Sequence, residues 1–226
     1  MKKYLLLSLS LLLLNLQASC QSNEKNKKEE AKLQNEVKPI QVPGKDGYEF
    51  AYFASGCFWC VEAIYESVKG VKESISGYSG GHTENPTYEA SNTGLTGHAE
   101  AVEIIYDPSV VSFATLVDVY FGSQNISQVN GQGPDHGSQY RSIIFYQNAG
   151  QKAIIDNKIL ALEKELGKGK VAAQVLPFQK FWRAEEYHQN YERLHPYHRY
   201  IQNVSIPRLN RFKAKFPQLL KENLEH

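Results

Sequence analysis

The hydrophobic pattern changes period in a fixed order along the chain, and this order limits the folds that the chain can adopt. Short apolar or alternating runs predict strands, and apolar residues at helical spacing predict helices. Strands are predicted over residues 48–54, 71–78, 101–106 and 141–146, and helices over residues 57–68 and 113–121. The order is β-α-β-β-α-β, which is typical of a split βαβ unit, so we expect an α+β fold.

This order predicts a ferredoxin-like plait of two layers, with an antiparallel sheet and both helices on one face. A helix over residues 150–166 and a strand over residues 171–176 would extend it. A short helical stretch near residues 184–193 and a charged tail follow, and we expect the tail to wrap the domain. The loops over residues 77–98 and 122–140 are long, and loops of this length usually carry a functional site.

The N-terminus has the pattern of a secretory signal. Lys2 and Lys3 precede an apolar run over residues 4–14, which is too short to span a bilayer of about 30 Å as a helix. The small residues before Cys20 resemble the bacterial lipoprotein box. We therefore predict a signal peptide of lipoprotein type over residues 1–20, lipidation at Cys20, and an exported protein of the bacterial cell envelope.

Residues 21–45 are rich in Asn, Lys, Glu and Gln and have few large apolar residues, so we expect a flexible linker. Residues 46–226 have the length and apolar content of one domain, which we expect to be monomeric. The formal net charge is +1, and removal of Lys2 and Lys3 with the signal peptide leaves about −1. Neither nucleic-acid binding nor general electrostatic attraction to membranes is indicated, so the predicted lipid would be the only membrane contact.

Two cysteines lie where the first strand gives way to the first helix. Cys57 follows Gly56, at a helix N-terminus, where free amides and the helix dipole stabilise a thiolate. We therefore expect its pKa to fall below the free value of about 8.5. Cys60 lies three residues further on, at a spacing that puts the two Cβ atoms about 5 to 6 Å apart on one helix face. A disulfide between the two is within reach.

A Cys-x-x-Cys pair has other uses, including half of a zinc site, a redox couple or two small buried residues. The chain has three cysteines and no second Cys-x-x-Cys, so a tetrahedral zinc site cannot be completed in this way. Val61 follows Cys60, which excludes haem attachment through Cys-x-x-Cys-His. Redox or nucleophilic use is favoured, and no metal site is predicted.

Several short motifs occur together in the order found in one enzyme family. They are Gly56-Cys-Phe-Trp59, Gly77-Tyr-Ser-Gly-Gly81, Asn85-Pro-Thr-Tyr88, Thr96-Gly-His-Ala-Glu100 and Asp135-His-Gly-Ser-Gln-Tyr-Arg141. With these motifs the chain resembles the peptide methionine sulfoxide reductase A family, from about residue 52 to residue 191. The resemblance implies reduction of methionine S-sulfoxide in proteins or peptides, without a bound cofactor.

The resemblance also implies roles for individual residues. Cys57 would be the nucleophile and Glu100 the proton donor, while the phenols of Tyr88 and Tyr140 would hold the sulfoxide oxygen. A carboxyl group ionises near pH 4.3 in water, so Glu100 must be desolvated to donate a proton at neutral pH.

The remaining residues of the motifs would shape the pocket around the substrate. Phe58 and Trp59 would form an apolar cup for the S-methyl group, and Asp135 would help to organise the substrate and its hydrogen bonds. Structural hydrogen bonding is the role expected for the motif histidines, His98, His136 and His188.

The expected cycle has two halves. Cys57 takes the oxygen to become a sulfenic acid, and Cys60 then condenses with it to a disulfide. An external dithiol, such as a thioredoxin-like protein, would reduce that disulfide. Many family members carry Gly at the position of Cys60 and have resolving cysteines near the C-terminus, whereas this chain has no cysteine after Cys60. Direct attack of a small thiol or a thioredoxin-like partner on the Cys57 sulfenic acid is therefore the alternative route of recycling.

Two other classes of function use the same Cys-x-x-Cys pair. Copper-chaperone domains place such a pair after the first strand of a split βαβ plait, and thiolates select Cu(I). They are much shorter, and they have no use for Tyr88, Glu100 and Tyr140. A general thiol-disulfide exchange module is the second alternative, and it would ignore sulfoxides.

Overall fold

The computed structural model describes residues 37–222. The predicted signal peptide, Cys20 and most of the predicted linker lie outside the described residues. Residues from Pro39 onward belong to one compact unit. The Ile40 N–H donates to the Phe178 carbonyl at 2.8 Å and the Val42 N–H donates to Gln147 Oε1 at 2.8 Å, so the end of the stretch predicted as linker packs on the domain. Within residues 37–222, no helix is both long and apolar enough to cross a membrane.

Residues 37–222 contain eight strands and six α-helices. The strands are β1 (Glu49–Ala54), β2 (Val71–Ser79), β3 (Ala99–Tyr106), β4 (Gly131–Gln132), β5 (Asp135–His136), β6 (Ile143–Tyr146), β7 (Gln174–Pro177) and β8 (Phe181–Arg183). The α-helices are α1 (Phe58–Glu66), α2 (Tyr88–Asn92), α3 (Phe113–Gly122), α4 (Ala149–Leu166), α5 (Tyr191–Leu194) and α6 (Ile206–Lys215). Short 3-10 turns cover Ser138–Tyr140, Glu186–His188 and Pro217–Leu219, and a π-helical turn covers Ile201–Ser205.

Within residues 37–222, six strands form one sheet in the order β7-β6-β1-β3-β2-β8, while β4 and β5 pair as a separate ribbon. Strand β7 runs parallel to β6, and the other neighbours in the six-stranded sheet are antiparallel. Opposite Phe53 of β1 lie Val102 of β3 and Ile144 of β6, which fixes the register at the sheet centre. The predicted α+β class is confirmed.

One face of the sheet carries the main core. Helices α1 and α3 both pack there, because their buried side chains share one cluster with Phe53. The Phe53 ring stacks on Tyr65 of α1 at a centroid distance of 5.2 Å and meets Tyr120 of α3 at 5.6 Å. Aromatic rings contribute large buried areas. This packing fixes the start of α1 against the end of β1.

The opposite face carries a smaller cluster of apolar side chains. There Tyr52 stacks on Phe178 at a centroid distance of 3.8 Å. Glycine is required beside this layer, because a Cβ atom at Gly77 would lie 2.4 Å from the Trp182 carbonyl oxygen of β8. Because Gly77 has no side chain, strand β8 can come close enough to β2 to pair with it at the edge of the sheet.

Several elements differ from the sequence prediction. Helix α2 and strand β8 were not predicted, because they are too short to show a period, and the expected helical stretch near residues 184–193 is divided into a 3-10 turn and α5. The predicted tail does pack on the domain, but as a folded arm. Its helix α6 buries Leu209 and Phe212 in the core cluster that also holds α1. We call residues 200–215 the C-terminal arm.

Candidate active site

Cys57 stands at the turn between β1 and α1. Gly56 has a φ of +76°, which glycine adopts without strain, and Cys57 is the N-cap residue of α1. The side chain of Cys57 is 7% exposed. A substrate must therefore bring its sulfur to a nearly enclosed thiol.

The expectation of a lowered Cys57 pKa is wrong for the free protein. Burial raises the pKa of the Cys57 thiol, and the Cys60 thiol and the Glu100 and Asp135 carboxyls raise it further. Desolvation and acidic neighbours outweigh the helix N-terminus here, because both disfavour the thiolate. Cys57 therefore rests as a thiol and needs the reaction itself to draw off its proton.

Glu100 lies on β3 and faces the start of α1. Its Oε2 accepts a hydrogen bond from the Phe58 N–H at 2.9 Å, and the residue is 2% exposed. Burial raises the pKa of Glu100 to about 8, with a further contribution from Asp135. The carboxyl group is thus mainly protonated at neutral pH, which is the state in which a carboxylic acid can donate a proton.

Tyr88 and Tyr140 come from the two long loops predicted to carry a site. Tyr88 is the first residue of α2, capped by Thr87, and Tyr140 ends a 3-10 turn. Burial raises the pKa of both phenols, and the negative charges that Glu100 and Cys57 can carry raise it further. Both hydroxyl groups remain protonated donors within electrostatic reach of the thiol and the acid.

Asn92 joins these two phenols, and sequence reasoning missed it. Tyr140 Oη donates to Asn92 Oδ1 at 3.5 Å, and Asn92 also forms a side-chain hydrogen bond with Tyr88. The amide sits one turn along α2 from Tyr88, so the spacing Tyr-x-x-x-Asn was the only signal in the sequence. Asn92 thus contacts the Tyr140 hydroxyl group and lies beside the Tyr88 phenol.

An aromatic cluster surrounds the residues after the nucleophile. The Phe58 ring lies 6.4 Å from Tyr88 and 4.9 Å from His188, centroid to centroid. Trp59 stacks on Tyr191 at 3.8 Å, and its Nε1–H donates to His188 Nδ1 at 3.1 Å. These contacts hold an apolar wall beside the polar group of Glu100 and the two phenols.

The motif histidines were expected to have structural roles. His98 Nδ1 accepts from the Gly81 N–H at 3.1 Å, and its Nε2 lies 2.8 Å from the Thr83 carbonyl oxygen. His188 is buried and accepts the hydrogen bond that positions the Trp59 ring, whereas His136 is exposed. Among residues 37–222, no group of three or more His, Cys, Asp or Glu side chains is arranged to hold a metal ion.

Cys60 and Asp135 are linked to each other through one residue, Tyr200. Both raise the pKa of the Cys57 thiol, and both contact Tyr200, which belongs to the C-terminal arm. Sequence reasoning missed Tyr200 and Arg208, because nothing in the sequence near them indicates that the arm returns to α1. Arg208 holds the arm in place by donating to the Ser55 carbonyl and Ser55 Oγ, each at 2.9 Å.

The structure thus brings the predicted residues Cys57, Phe58, Trp59, Cys60, Tyr88, Glu100, Asp135 and Tyr140 to one place. A buried thiol faces a protonated acid and two phenols. Such a set can attack an electrophilic atom while it hydrogen bonds and protonates an oxygen on that atom.

Comparison with known proteins agrees with this chemistry. The family model described as peptide methionine sulfoxide reductase matches residues 49–220. A relative from Pasteurella multocida, named peptide methionine sulfoxide reductase MsrA, is 44% identical over 171 residues, covering 76% of this chain and 98% of the relative.

Solved structures share the fold. Methionine sulfoxide reductase A of Corynebacterium diphtheriae is 31% identical with a TM-score of 0.59, covering 70% of this chain and 82% of that chain. Reduced Mxr1 from Saccharomyces cerevisiae is 29% identical with a TM-score of 0.62, covering 70% of this chain and 91% of that chain.

Proposed function

The chain belongs to the peptide methionine sulfoxide reductase A family, and from this premise we propose that Cys57 is the nucleophile of the reaction. The protein is an oxidoreductase that reduces methionine sulfoxide with thiols. Family membership does not favour Cu(I) binding or general thiol-disulfide exchange as its function. Because oxidised methionine is restored only by reductases, the activity is a repair activity.

In the first half-reaction, the sulfur of Cys57 attacks the sulfoxide sulfur. Glu100 gives its proton to the sulfoxide oxygen, and the thiol proton passes to Glu100. The S–O bond to the methionine sulfur and the newly formed S–S bond then break as the hydroxyl group transfers to the Cys57 sulfur, so that a thiol and a sulfoxide become a sulfenic acid and a thioether. Tyr88 and Tyr140 stabilise the oxygen as negative charge develops on it. Proton transfer by a positioned acid contributes about 10²- to 10⁴-fold to such a step.

The observation that carries this proposal is the burial of Glu100 beside the nucleophile. Its hydrogen bond to the Phe58 N–H fixes it next to Cys57, and its pKa of about 8 keeps it protonated at neutral pH. A carboxyl group of ordinary pKa would be ionised there and would repel a thiolate.

We assign the pocket wall to Phe58 and Trp59, which would receive the S-methyl group. Asp135 would help to order the hydrogen bonds of the bound substrate. A methyl-sized apolar contact is worth about 1 to 3 kcal/mol of discrimination, so the enzyme should prefer methionine to bulkier sulfoxides. The S epimer is the proposed substrate.

In the second half-reaction, Cys60 would attack the sulfenic acid of Cys57 and release water. The two thiols interact directly in the reduced protein, which supports this assignment. An external dithiol, of the thioredoxin type, would then reduce the disulfide. No bound cofactor takes part in the proposed cycle.

We also propose that the protein is exported to the bacterial cell envelope, is anchored by a lipid on Cys20 and works as a monomer. The signal pattern over residues 1–20 supports the first two statements. Metabolic labelling with a fatty acid in wild type and Cys20→Ala tests the anchor, and light scattering tests the monomer. For the fold, the strand order β6-β1-β3-β2 supports a ferredoxin-like plait as the centre of the sheet.

Turnover of the separate S and R epimers of a protected methionine sulfoxide, with dithiothreitol as reductant, tests the proposed function. Wild type should reduce the S epimer, and Cys57→Ser should not. Cys60→Ser, without reductant, should release about one methionine per protein and retain the sulfenic acid, seen as an added oxygen by intact mass. Failure of wild type to reduce either epimer would refute the proposal.

A further inference from the structure

Tyr200 of the C-terminal arm lies between Cys60 and Asp135. Tyr200 Oη donates to Asp135 Oδ2 at 2.5 Å and lies 3.7 Å from Cys60 Sγ. Tyr200 and Cys60 are 140 residues apart in the chain, so this contact exists only because the arm packs on α1. Cys60 and Asp135 both have roles in the proposed cycle, whereas Tyr200, which joins them, has none.

The order of donors and acceptors follows from the number of protons. A phenol has one O–H, and the short distance to Asp135 is that of a charge-assisted O–H···O⁻ bond, so the Tyr200 proton is directed at Asp135. The Tyr200 oxygen then has lone pairs left to accept from the Cys60 thiol. The three groups form a chain in which Cys60 donates to Tyr200 and Tyr200 donates to Asp135.

We infer that Tyr200 is a catalytic residue of the second half-reaction, which relays the Cys60 proton to Asp135 as Cys60 attacks the Cys57 sulfenic acid. The inference rests on the proposed function. The Cys60 proton passes to Tyr200 Oη while the phenol proton passes to Asp135. The S–S bond forms, the S–O bond of the sulfenic acid breaks, and the departing hydroxide takes the Glu100 proton to become water. The sulfenic sulfur is reduced and the Cys60 sulfur is oxidised.

The surrounding charges suit this direction of transfer. In the reduced protein a hydrogen bond from the Cys57 thiol lowers the pKa of Cys60, and the Arg208 guanidinium lowers it further. Once Cys57 is a sulfenic acid that thiol hydrogen bond is gone, and the positive charge of Arg208 still favours the Cys60 thiolate that forms as the proton leaves. Burial raises the pKa of Asp135, which makes its carboxylate a stronger base. Cys60 and Asp135 are the two ends of this hydrogen-bond chain. The titratable or charged groups that face them are Cys57, Glu100, His136, Tyr200 and Arg208.

A single-turnover experiment separates the two half-reactions. The full chain, reduced and free of other thiols, is mixed with one equivalent of the S-sulfoxide and quenched at intervals. Methionine release reports the first half-reaction, and the loss of two hydrogens by intact mass reports the disulfide. Tyr200→Phe keeps the ring and removes only the hydroxyl group. The matched control is Tyr197→Phe, which makes the same change nearby in the sequence at a residue that is 87% exposed.

At pH 7, Tyr200→Phe should release methionine within about twofold of the wild-type rate and form the disulfide at least about tenfold more slowly, with the sulfenic acid accumulating. Raising the pH to about 9 should remove most of this deficit, because hydroxide then deprotonates Cys60 without the relay. Tyr197→Phe should match wild type in both rates. Asp135→Asn, which cannot take a proton, should show the same pH-dependent lag between methionine and disulfide.

Three results would overturn the relay. The first is disulfide formation in Tyr200→Phe at the wild-type rate, and the second is a deficit of equal size at every pH, which would indicate misplacement of Cys60. The third is methionine release by wild type without any disulfide. If wild type released no methionine at all, the proposed function itself would fall together with the relay.

Discussion

The Glu100 carboxyl group accepts a hydrogen bond at 2.9 Å from the backbone N–H of Phe58, the residue that follows Cys57. The bond links the acid on β3 to the first turn of α1. Because the donor is a backbone group at the start of α1, the bond places the Glu100 side chain beside the residue that follows the nucleophile. Two predictions concern Glu100 at this buried position.

Replacement of Glu100 by Gln should abolish most of the first half-reaction. The amide oxygen can still accept from the Phe58 N–H, but the amide cannot protonate the sulfoxide oxygen. We expect methionine release to fall about 10²- to 10⁴-fold in single turnover. Glu103→Gln is the control on the same strand, because Glu103 accepts from Tyr52 and not from the site. A Glu100→Gln enzyme within threefold of wild type would exclude Glu100 as the acid.

The same substitution should change how stability depends on pH. Burial raises the pKa of Glu100 from 4.5 to about 8. Between these values the folded protein retains a proton that the unfolded chain releases, so wild-type stability falls as pH rises. The loss is on the order of 5 kcal/mol, because one pKa unit corresponds to about 1.4 kcal/mol. Gln does not ionise, so thermal unfolding should show the advantage of Glu100→Gln growing from pH 5 to pH 8 and levelling above.

Asn92 should be needed for full activity without contacting the thiol. Asn92→Ala removes the partner of both phenols, and we expect kcat/KM to fall about tenfold, less than the roughly 10²-fold loss expected for Tyr140→Phe. Steady-state kinetics on the S epimer would measure this. Asn157→Ala, on the exposed face of α4, is the control and should match wild type. Equal activity of Asn92→Ala and wild type would contradict the assignment.

Gly56 should resist substitution for two separable reasons. Its φ is +76°, and a Cβ atom there would lie 2.5 Å from Gln132 Cβ. Gly47 has a φ of +84° but nothing within 4 Å of such a Cβ atom. Gly47→Ala should therefore cost only the backbone strain, about 1 to 2 kcal/mol, and Gly56→Ala about 1 to 3 kcal/mol more. Denaturant unfolding compares the two, and equal losses would refute the steric clash.

The parts of the fold that were predictable from sequence are those with a clear period. β1, β3, α1 and α3 each bury several side chains in an apolar pattern, so their sequences identify them. Helix α2 and strand β8 depend on tertiary contacts instead. Strand β8 exists because Gly77 leaves room for it, and no local pattern reveals that space.

The site shows the same division between local and long-range information. Cys57, Glu100, Tyr88 and Tyr140 lie in short motifs, so family resemblance indicated them. The pKa of Cys57 was not predictable, because it depends on burial and on Asp135, which a local view of the helix N-terminus omits. Tyr200 and Arg208 could not be found either, since their contacts with Cys60 and Ser55 join segments 140 and 153 residues apart.

The distance along the chain between the thiols and the C-terminal arm also has a consequence during synthesis. Cys57 and Cys60 leave the ribosome before Tyr200 and Arg208, so the contacts of the arm with Cys60 and Ser55 form only after the arm has been synthesised. An incomplete chain therefore lacks the partner that the Cys60 thiol has in the folded domain. Enzymatic competence is acquired at the end of biogenesis, when the final residues of the domain are in place.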